Sequence, residues 1–326
     1  MKHSSNSEGR NSNSSSAEYM AQIGESVIDF KELWNILWKS KLLIIGITFV
    51  FAVASIMYTL SLPNQYKSIA LLEPISSSSS PLGNLSGNLG GLASLAGINL
   101  GGSASDDKSV LAVELLKTWD FLENIVVKHG LEADVFAAIA WDKNTNTVLY
   151  DKELYDAAAQ KWVRDPASSE HGKSEPSGWE LFQAIEPRIS VSKDDNTGLI
   201  AISAEHYSPH VAKAWVEMLV NELNLHFQNA DREEAQARIA YLKERIADTN
   251  VAEMRNIFYE IIQEQTQTLM LAEISDQYVL KTLSPAKLAE EKSKPSRAVI
   301  VVFVTFLGGV LGVLIVLVRY FIRGEA

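Results

Sequence analysis

Residues 42–62 read LLIIGITFVFAVASIMYTLSL and residues 298–318 read AVIVVFVTFLGGVLGVLIVLV, two runs of 21 residues without a charged side chain. A bilayer core of ~30 Å takes about 20 helical residues at 1.5 Å each, so either run is long enough to span it. Apolar stretches of about 10–14 residues suit buried core helices, and no other segment of the 326-residue chain matches these two. Both are read as transmembrane helices. Ala52-Val53-Ala54 fits the small-residue pattern of a signal-peptide cleavage site. However, 41 residues precede the run and its apolar character continues to Leu62, which favours an uncleaved signal-anchor.

Positive charge near the ends of the spans sets orientation. Lys31, Lys39 and Lys41 precede the first span, and only Lys67 follows closely. At the second, Arg319 and Arg323 follow while Lys287, Lys292, Lys294 and Arg297 precede. The first helix usually dominates, and two spans return the chain to its starting side. Both termini are therefore expected in the cytoplasm, with residues 63–297 outside it. Residues 1–28 form a Ser/Asn-rich tail expected to be disordered, and residues 319–326 a short cytoplasmic tail. Neither flank has room for a signalling output domain.

Between the tail and the first span, Phe30, Leu33, Trp34, Leu37 and Trp38 fall on one helical face, and Asp29 with Glu32 resembles a capping box. Residues 29–41 are expected to form an interfacial helix, with Trp34 and Trp38 as headgroup-level anchors. A plain anchor and a docking element remain equal readings of it.

The chain has 29 Lys and Arg against 40 Asp and Glu, a net charge of −11, and all of that excess lies between the spans. Such acidity argues against nucleic acid as a partner. The absence of cysteine excludes disulfides, thiolate metal sites and cysteine nucleophiles.

The segment between the spans reads as α+β. Residues 66–72 alternate as a strand, and residues 76–105 form an uncharged Gly/Ser/Leu loop without a Walker motif. Residues 105–130 read as one helix, with Leu111, Leu115, Leu122, Val126 and His129 on a face and Gly130 as the stop. Helical pieces are expected around residues 155–163, before a polar stretch at 164–177. Residues 188–192 and 199–204 flank Asp194-Asp195-Asn196-Thr197-Gly198 as a β-hairpin, which makes the paired aspartates turn residues rather than catalytic carboxylates. Residues 208–247 then give a helix of about 60 Å at 1.5 Å per residue. Its seam passes through Val211, Trp215 and Met218/Leu219, and Ala235, Ile239, Leu242 and Ile246 continue it at coiled-coil spacing. A break at 248–250, with Asn250 and Glu253 as a capping box, leads to a second helix carrying Met254, Ile257, Phe258, Ile261 and Leu269. Residues 278–283 read as a returning strand.

No HExxH or GxSxG motif is present. His206 and His210 are four residues apart, but Pro209 between them breaks the helix that a zinc pair needs, so core and capping roles are expected. No cofactor or metal is expected. In the second span Gly308, Gly309 and Gly312 include a GxxxG pair, which is either a helix-packing and oligomer face or the ordinary abundance of glycine in such helices.

Three segments together resemble one family: IDFKELWNILWKSKLLIIG (28–46), QYKSIALLEP (65–74) and the closing stretch 278–312. They are similar to the Wzz-type polysaccharide co-polymerases, the chain-length determinants of bacterial surface polysaccharides. The loop ending GLASLAGINLGG (91–102) is similar to that of many members. Pro285 and Pro295 stand where the family has a membrane-proximal proline-rich stretch, although prolines are sparser here. The Walker motifs and tyrosine-rich tail of the related autokinases are missing. The resemblance implies a non-enzymatic homo-oligomeric ring in the bacterial inner membrane with a periplasmic ectodomain. It also implies action with a Wzy-type polymerase on a lipid-linked polysaccharide such as O-antigen. Three alternatives stay open at this point. One is an export co-polymerase for capsule or exopolysaccharide, working with a separate kinase. The others are a two-span periplasmic sensor and an anchored glycan hydrolase.

The charge asymmetry has a direct test. In a chain without cysteine, an impermeant thiol reagent should label Ser80→Cys and Ser168→Cys in intact spheroplasts and spare Ser14→Cys. Labelling at position 14 would reverse the topology.

Overall fold

Alternation at residues 66–74 produces β1 (Tyr66–Pro74), whose Ser68, Ala70 and Leu72 point inward and are buried. The computed structural model describes residues 34, 37–75, 104–169 and 171–324. It comprises two units: residues 1–62 with 296–326, and residues 63–295. The expected disordered tail, Phe30 and Leu33, and nearly all of loop 76–105 lie outside the described residues.

In the second unit α2 (Ala104–Leu115) and α3 (Trp119–Lys128) follow β1. The single helix expected over 105–130 is thus two. The chain turns at Lys117 and Thr118, where the Thr118 hydroxyl donates to Leu115 O (2.7 Å) and its backbone is extended. That turn changes which residues face inward. Ala112, Leu116, Leu122 and Val126 are buried, whereas Leu111 is 58% exposed. Gly130 does end the run, at φ +63°.

Next come α4 (Glu132–Phe136), the hairpin β2 (Ala138–Asp142) with β3 (Thr147–Tyr150), and the two-residue strands β4 (Tyr155–Asp156) and β5 (Lys161–Trp162). Helical pieces expected near 155–163 are therefore replaced by a small hairpin. Tyr155 and Trp162 face each other across it with ring centroids 5.0 Å apart, and Trp162 also meets Phe136. Aromatic cross-strand pairing overrides the helical propensity of the alanines between them.

Helix α5 (Gly178–Ile185) opens on a capping box in which Ser177 and Glu180 exchange hydrogen bonds. It leads to β6 (Ile189–Lys193) and β7 (Ile200–His206), the expected hairpin. Asn196 N donates to the Asp194 carboxylate (2.9 Å) and Gly198 takes φ +70° in the turn. Helix α6 (Pro209–Asp248) follows, then α7 (Ala252–Ile274) and β8 (Leu280–Ser284). Its N-cap is Val251 without a side-chain cap, so the box expected from Asn250 and Glu253 does not form.

The sheet order is β6-β7-β1-β8, antiparallel throughout. The inner half of α6 lies on this sheet through Ala212, Trp215, Val216, Leu219, Val220 and Leu223, at helical spacing. Of these, Trp215, Val216, Leu219, Val220 and Leu223 join Leu72, Ile200, Ile202, Leu280 and residues of α3 and α5 in one core. Burying each large aliphatic contributes roughly 1.5–3 kcal/mol. Beyond Asn224 the buried residues of α6 reduce to Ala235 and Leu242, with Ile239 and Ile246 half-buried. There α7 packs back against α6, and Gln228 Nε2 donates to Ala272 O (2.5 Å) and Ser275 O (3.1 Å) at the open end of the pair. On α7, Phe258, Ile261 and Leu269 are half-buried, while Met254 and Ile257 are exposed.

Asn224 is buried where α6, the end of the helical pair and β8 meet. Its Oδ1 accepts from the backbone N–H groups of Tyr278, Val279 and Leu280 (2.9–3.0 Å). Its Nδ2 donates to Val220 O and Leu280 O. One side chain thereby satisfies donors that would otherwise be orphaned in the core.

His206 ends β7 in the core, 1% exposed against Trp215. Ser208 N–H donates to its Nδ1 (3.0 Å), so that nitrogen is unprotonated and Nε2–H faces Asp134 O (3.2 Å). Burial favours this neutral ring and lowers its pKa to about 4. The unfolded chain then binds more protons than the folded one between about pH 4 and the ordinary imidazole pKa of ~6.5. Stability from this group is present above pH 6.5 and is lost as pH falls to 4, on the order of 3 kcal/mol. The urea midpoint of the full-length protein in micelles should drop across that window. In His206→Gln, which keeps a donor and an acceptor without titrating, the drop should be absent.

Candidate functional site

The first unit is built from two helices, α1 (Lys41–Ser61) and α8 (Arg297–Gly324), both long and apolar enough to cross a membrane. The second runs past the expected end of its span at Val318 through to Gly324. They pack along a seam. On α1 the seam carries Ile44, Thr48, Phe51, Ser55 and Thr59, spaced as one helical face, with Ser55 and Thr59 buried. On α8 it carries Gly308, Gly312 and Val316, all buried.

At Gly308 and Gly312 the helices approach closely. A Cβ on Gly308 would lie 2.6 Å from the Phe51 Cβ, and one on Gly312 would lie 3.4 Å from the Ile44 Cα. At Gly309 a Cβ would be 3.6 Å from Thr48 Oγ1, an ordinary contact. The GxxxG face is thus turned to the other span of the same chain. Small residues let two backbones approach where lipid supplies no hydrophobic drive. The hydroxyls of the seam are satisfied within their own helix: Thr48 donates to Ile44 O (2.8 Å), Ser55 to Ala52 O (2.9 Å) and Thr59 to Ser55 O (2.9 Å). In hydrocarbon that internal pairing is what makes them tolerable. The Ser/Thr stripe on α1 was not singled out from the sequence, although Thr48, Ala52, Ser55 and Thr59 at helical spacing carry the signal. Beside the seam runs an apolar groove of about 740 Å³ lined by Thr48, Val302, Phe306 and Gly309 among others, the lining expected of a lipid-facing surface.

Trp34 and Trp38 stack with centroids 6.2 Å apart, both more than 60% exposed, and Lys41 Nζ stands 5.1 Å from the Trp38 ring. Amphipathic rings beside an ammonium suit a membrane interface. In the second unit Pro285 is exposed just after β8, and Pro295 is half-buried and follows a cis bond from Lys294. The structure does not bring these prolines together. It also separates His206, in the core, from His210, whose ring lies near Trp141.

Among the described residues, several ion-pair clusters tie the second unit together. Arg164, 7% exposed, donates to both Glu180 oxygens and holds that carboxyl down to about pKa 2. Asp231 accepts from Lys108 Nζ and the Tyr278 hydroxyl, each at 2.5 Å; burial and this contact raise the Tyr278 pKa. Glu222 accepts from Lys128 Nζ (2.7 and 2.8 Å) and pairs with His129 Nε2 (2.9 Å). Its burial works against ionisation, but these two partners outweigh it and the net shift is downward. Among the described residues no cluster of three or more His, Asp or Glu side chains can hold a metal ion.

Residues 26–129 match the Wzz family, chain length determinant protein. The matched region takes in α1, β1, α2 and α3, and so includes the first of the two long apolar helices, the central strand and part of the core helix layer. Among solved structures, a full-length bacterial polysaccharide co-polymerase aligns over 91% of this chain and 99% of its own. Sequence identity there is 12% and the TM-score 0.39. No curated protein matches the sequence significantly.

The seam predicts a cross-link. Thr48→Cys with Gly309→Cys should close an intramolecular disulfide under mild oxidation, seen as faster migration on a non-reducing gel. Adding Gly308→Leu should abolish it, because leucine cannot share space with Phe51. Equal cross-linking with and without the leucine would show that Gly308 is not packed on Phe51, and no cross-link in either protein would show that the helices do not meet there.

Proposed function

We propose that the protein regulates the chain length of a bacterial surface polysaccharide, acting as a co-polymerase with a Wzy-type polymerase on a lipid-linked glycan. The observation that carries this reading is the match of residues 26–129 to the chain length determinant family. Two apolar helices around a mixed α/β unit are consistent with it. The reading places the protein in the inner membrane with residues 63–297 in the periplasm. The lysines before the first span support that orientation, with both termini cytoplasmic.

Self-association into a ring is part of the proposal. It is supported by exposed apolar side chains along α7, including Met254, Ile257, Met270, Leu271 and Ile274, which a solvated single copy would leave uncovered. In this reading the protein makes and breaks no bonds of its own. It shapes what the polymerase produces.

Deleting the gene should leave glycan synthesis running and replace a clustered mode of lengths by a short-biased ladder on a gel. Complete loss of polymer would point to export or synthesis instead. An unchanged ladder would remove the chain-length reading and favour a sensor.

A further inference from the structure

A hollow of about 240 Å³ opens between α3 and α6. Each helix offers the same stagger to it, i, i+3, i+4 and i+7, beginning from Phe121 on α3 and Glu222 on α6. Its floor is apolar and aromatic, with the Phe121 ring edge-on to His226 at 5.8 Å. Around the rim stand the side-chain amides of Asn124 and Asn229 and the imidazole of His226, all exposed. None of these three hydrogen-bonds another described residue, and His226 makes only ring contacts. Lys128 and Glu222 complete the lining as a paired cation and anion.

Each part limits the ligand. The volume is below the roughly 300 Å³ at which pockets for drug-sized molecules begin, so the occupant is small. Amides and an imidazole offer donors and acceptors side by side, which suits hydroxyl groups that do both. An aromatic floor suits the apolar C–H face of a ring. The charges of Lys128 and Glu222 cancel, which leaves little attraction for a phosphate or a uronic acid. Glu222 already has a structural task in tying the end of α3 to α6, so recognition falls to Asn124, His226 and Asn229.

We infer that the hollow between α3 and α6 holds one neutral, hydroxyl-rich sugar ring of the polysaccharide, an inference that rests on the chain-length reading above. Contact of that kind would let the domain sense glycan passing over its surface without any chemistry on it.

The test uses the full-length protein in phosphatidylcholine nanodiscs. The probe is short oligosaccharides made from the producing cell's own polysaccharide after mild acid has removed the lipid. Saturation-transfer NMR should show transfer to the sugar protons. The combined Asn124→Ala, His226→Ala and Asn229→Ala variant should weaken binding by about tenfold or more, as expected for losing several hydrogen bonds. All three positions are exposed, so the fold should survive, and an unchanged circular dichroism spectrum checks this. Equal transfer in variant and wild type, or none in the wild type, would overturn the site. Intact transfer with altered sedimentation of the variant would also overturn it, making the hollow a contact between copies. The gene deletion tests the chain-length reading separately. A shifted ladder with no loss of binding in the variant removes only the site, and an unchanged ladder removes the reading beneath it.

Discussion

Gln65 and Lys294 hold the two ends of the second unit together. Gln65 N donates to Lys294 O (2.9 Å), and Ser293 N (2.8 Å) and Lys294 N (3.3 Å) donate back to Gln65 O. A unit inserted in sequence between two long helices has both its ends to bring together. This backbone exchange, continued by the pairing of β1 with β8, does that without a disulfide. The strand just after the first span is therefore central in the sheet, with β7 on one side and β8 on the other. Everything between folds as an excursion from that strand.

The excursion ends at Asn224. Chain arriving from α7 must leave a helical pair and enter a sheet, exposing backbone N–H groups as it turns. Asn224 accepts three of them within the core. It sits near the point where α6 stops burying residues on the sheet and continues only as half of a helical pair. One polar side chain thus marks the boundary between the globular layer and the extended arm. Nearby, Asp231 gathers Lys108 and Tyr278 and ties α2 and the returning chain to the same helix.

In the unit of two long apolar helices the organising constraint is different, since in lipid such helices would have no hydrophobic reason to prefer each other over their surroundings. Close approach at Gly308 and Gly312 supplies the preference, and hydroxyls on the facing helix stay bonded to their own backbone. A GxxxG face used within one chain is not free for contacts between copies.

Much of this was legible from residue order alone. Apolar runs of fixed length define the two long apolar helices, the helical seam from Val211 to Ile246 defines α6, and Asp194 to Gly198 define a turn, because each depends on local period or local backbone freedom. The break at Thr118 and the hairpin at Tyr155–Trp162 were not legible. In both places contacts distant in sequence outweigh local propensity: inward placement of Leu116 and Leu122 in one case, and aromatic packing of Trp162 on Phe136 in the other. The cap expected at Asn250 failed because capping motifs name candidates, while the loop's actual dihedrals choose among them. Likewise, the sequence alone established that Gly308 and Gly312 share a face. Only the tertiary structure decided that this face meets Phe51 and Ile44, since which surface a helix packs against is a matter of three-dimensional complementarity and not of spacing.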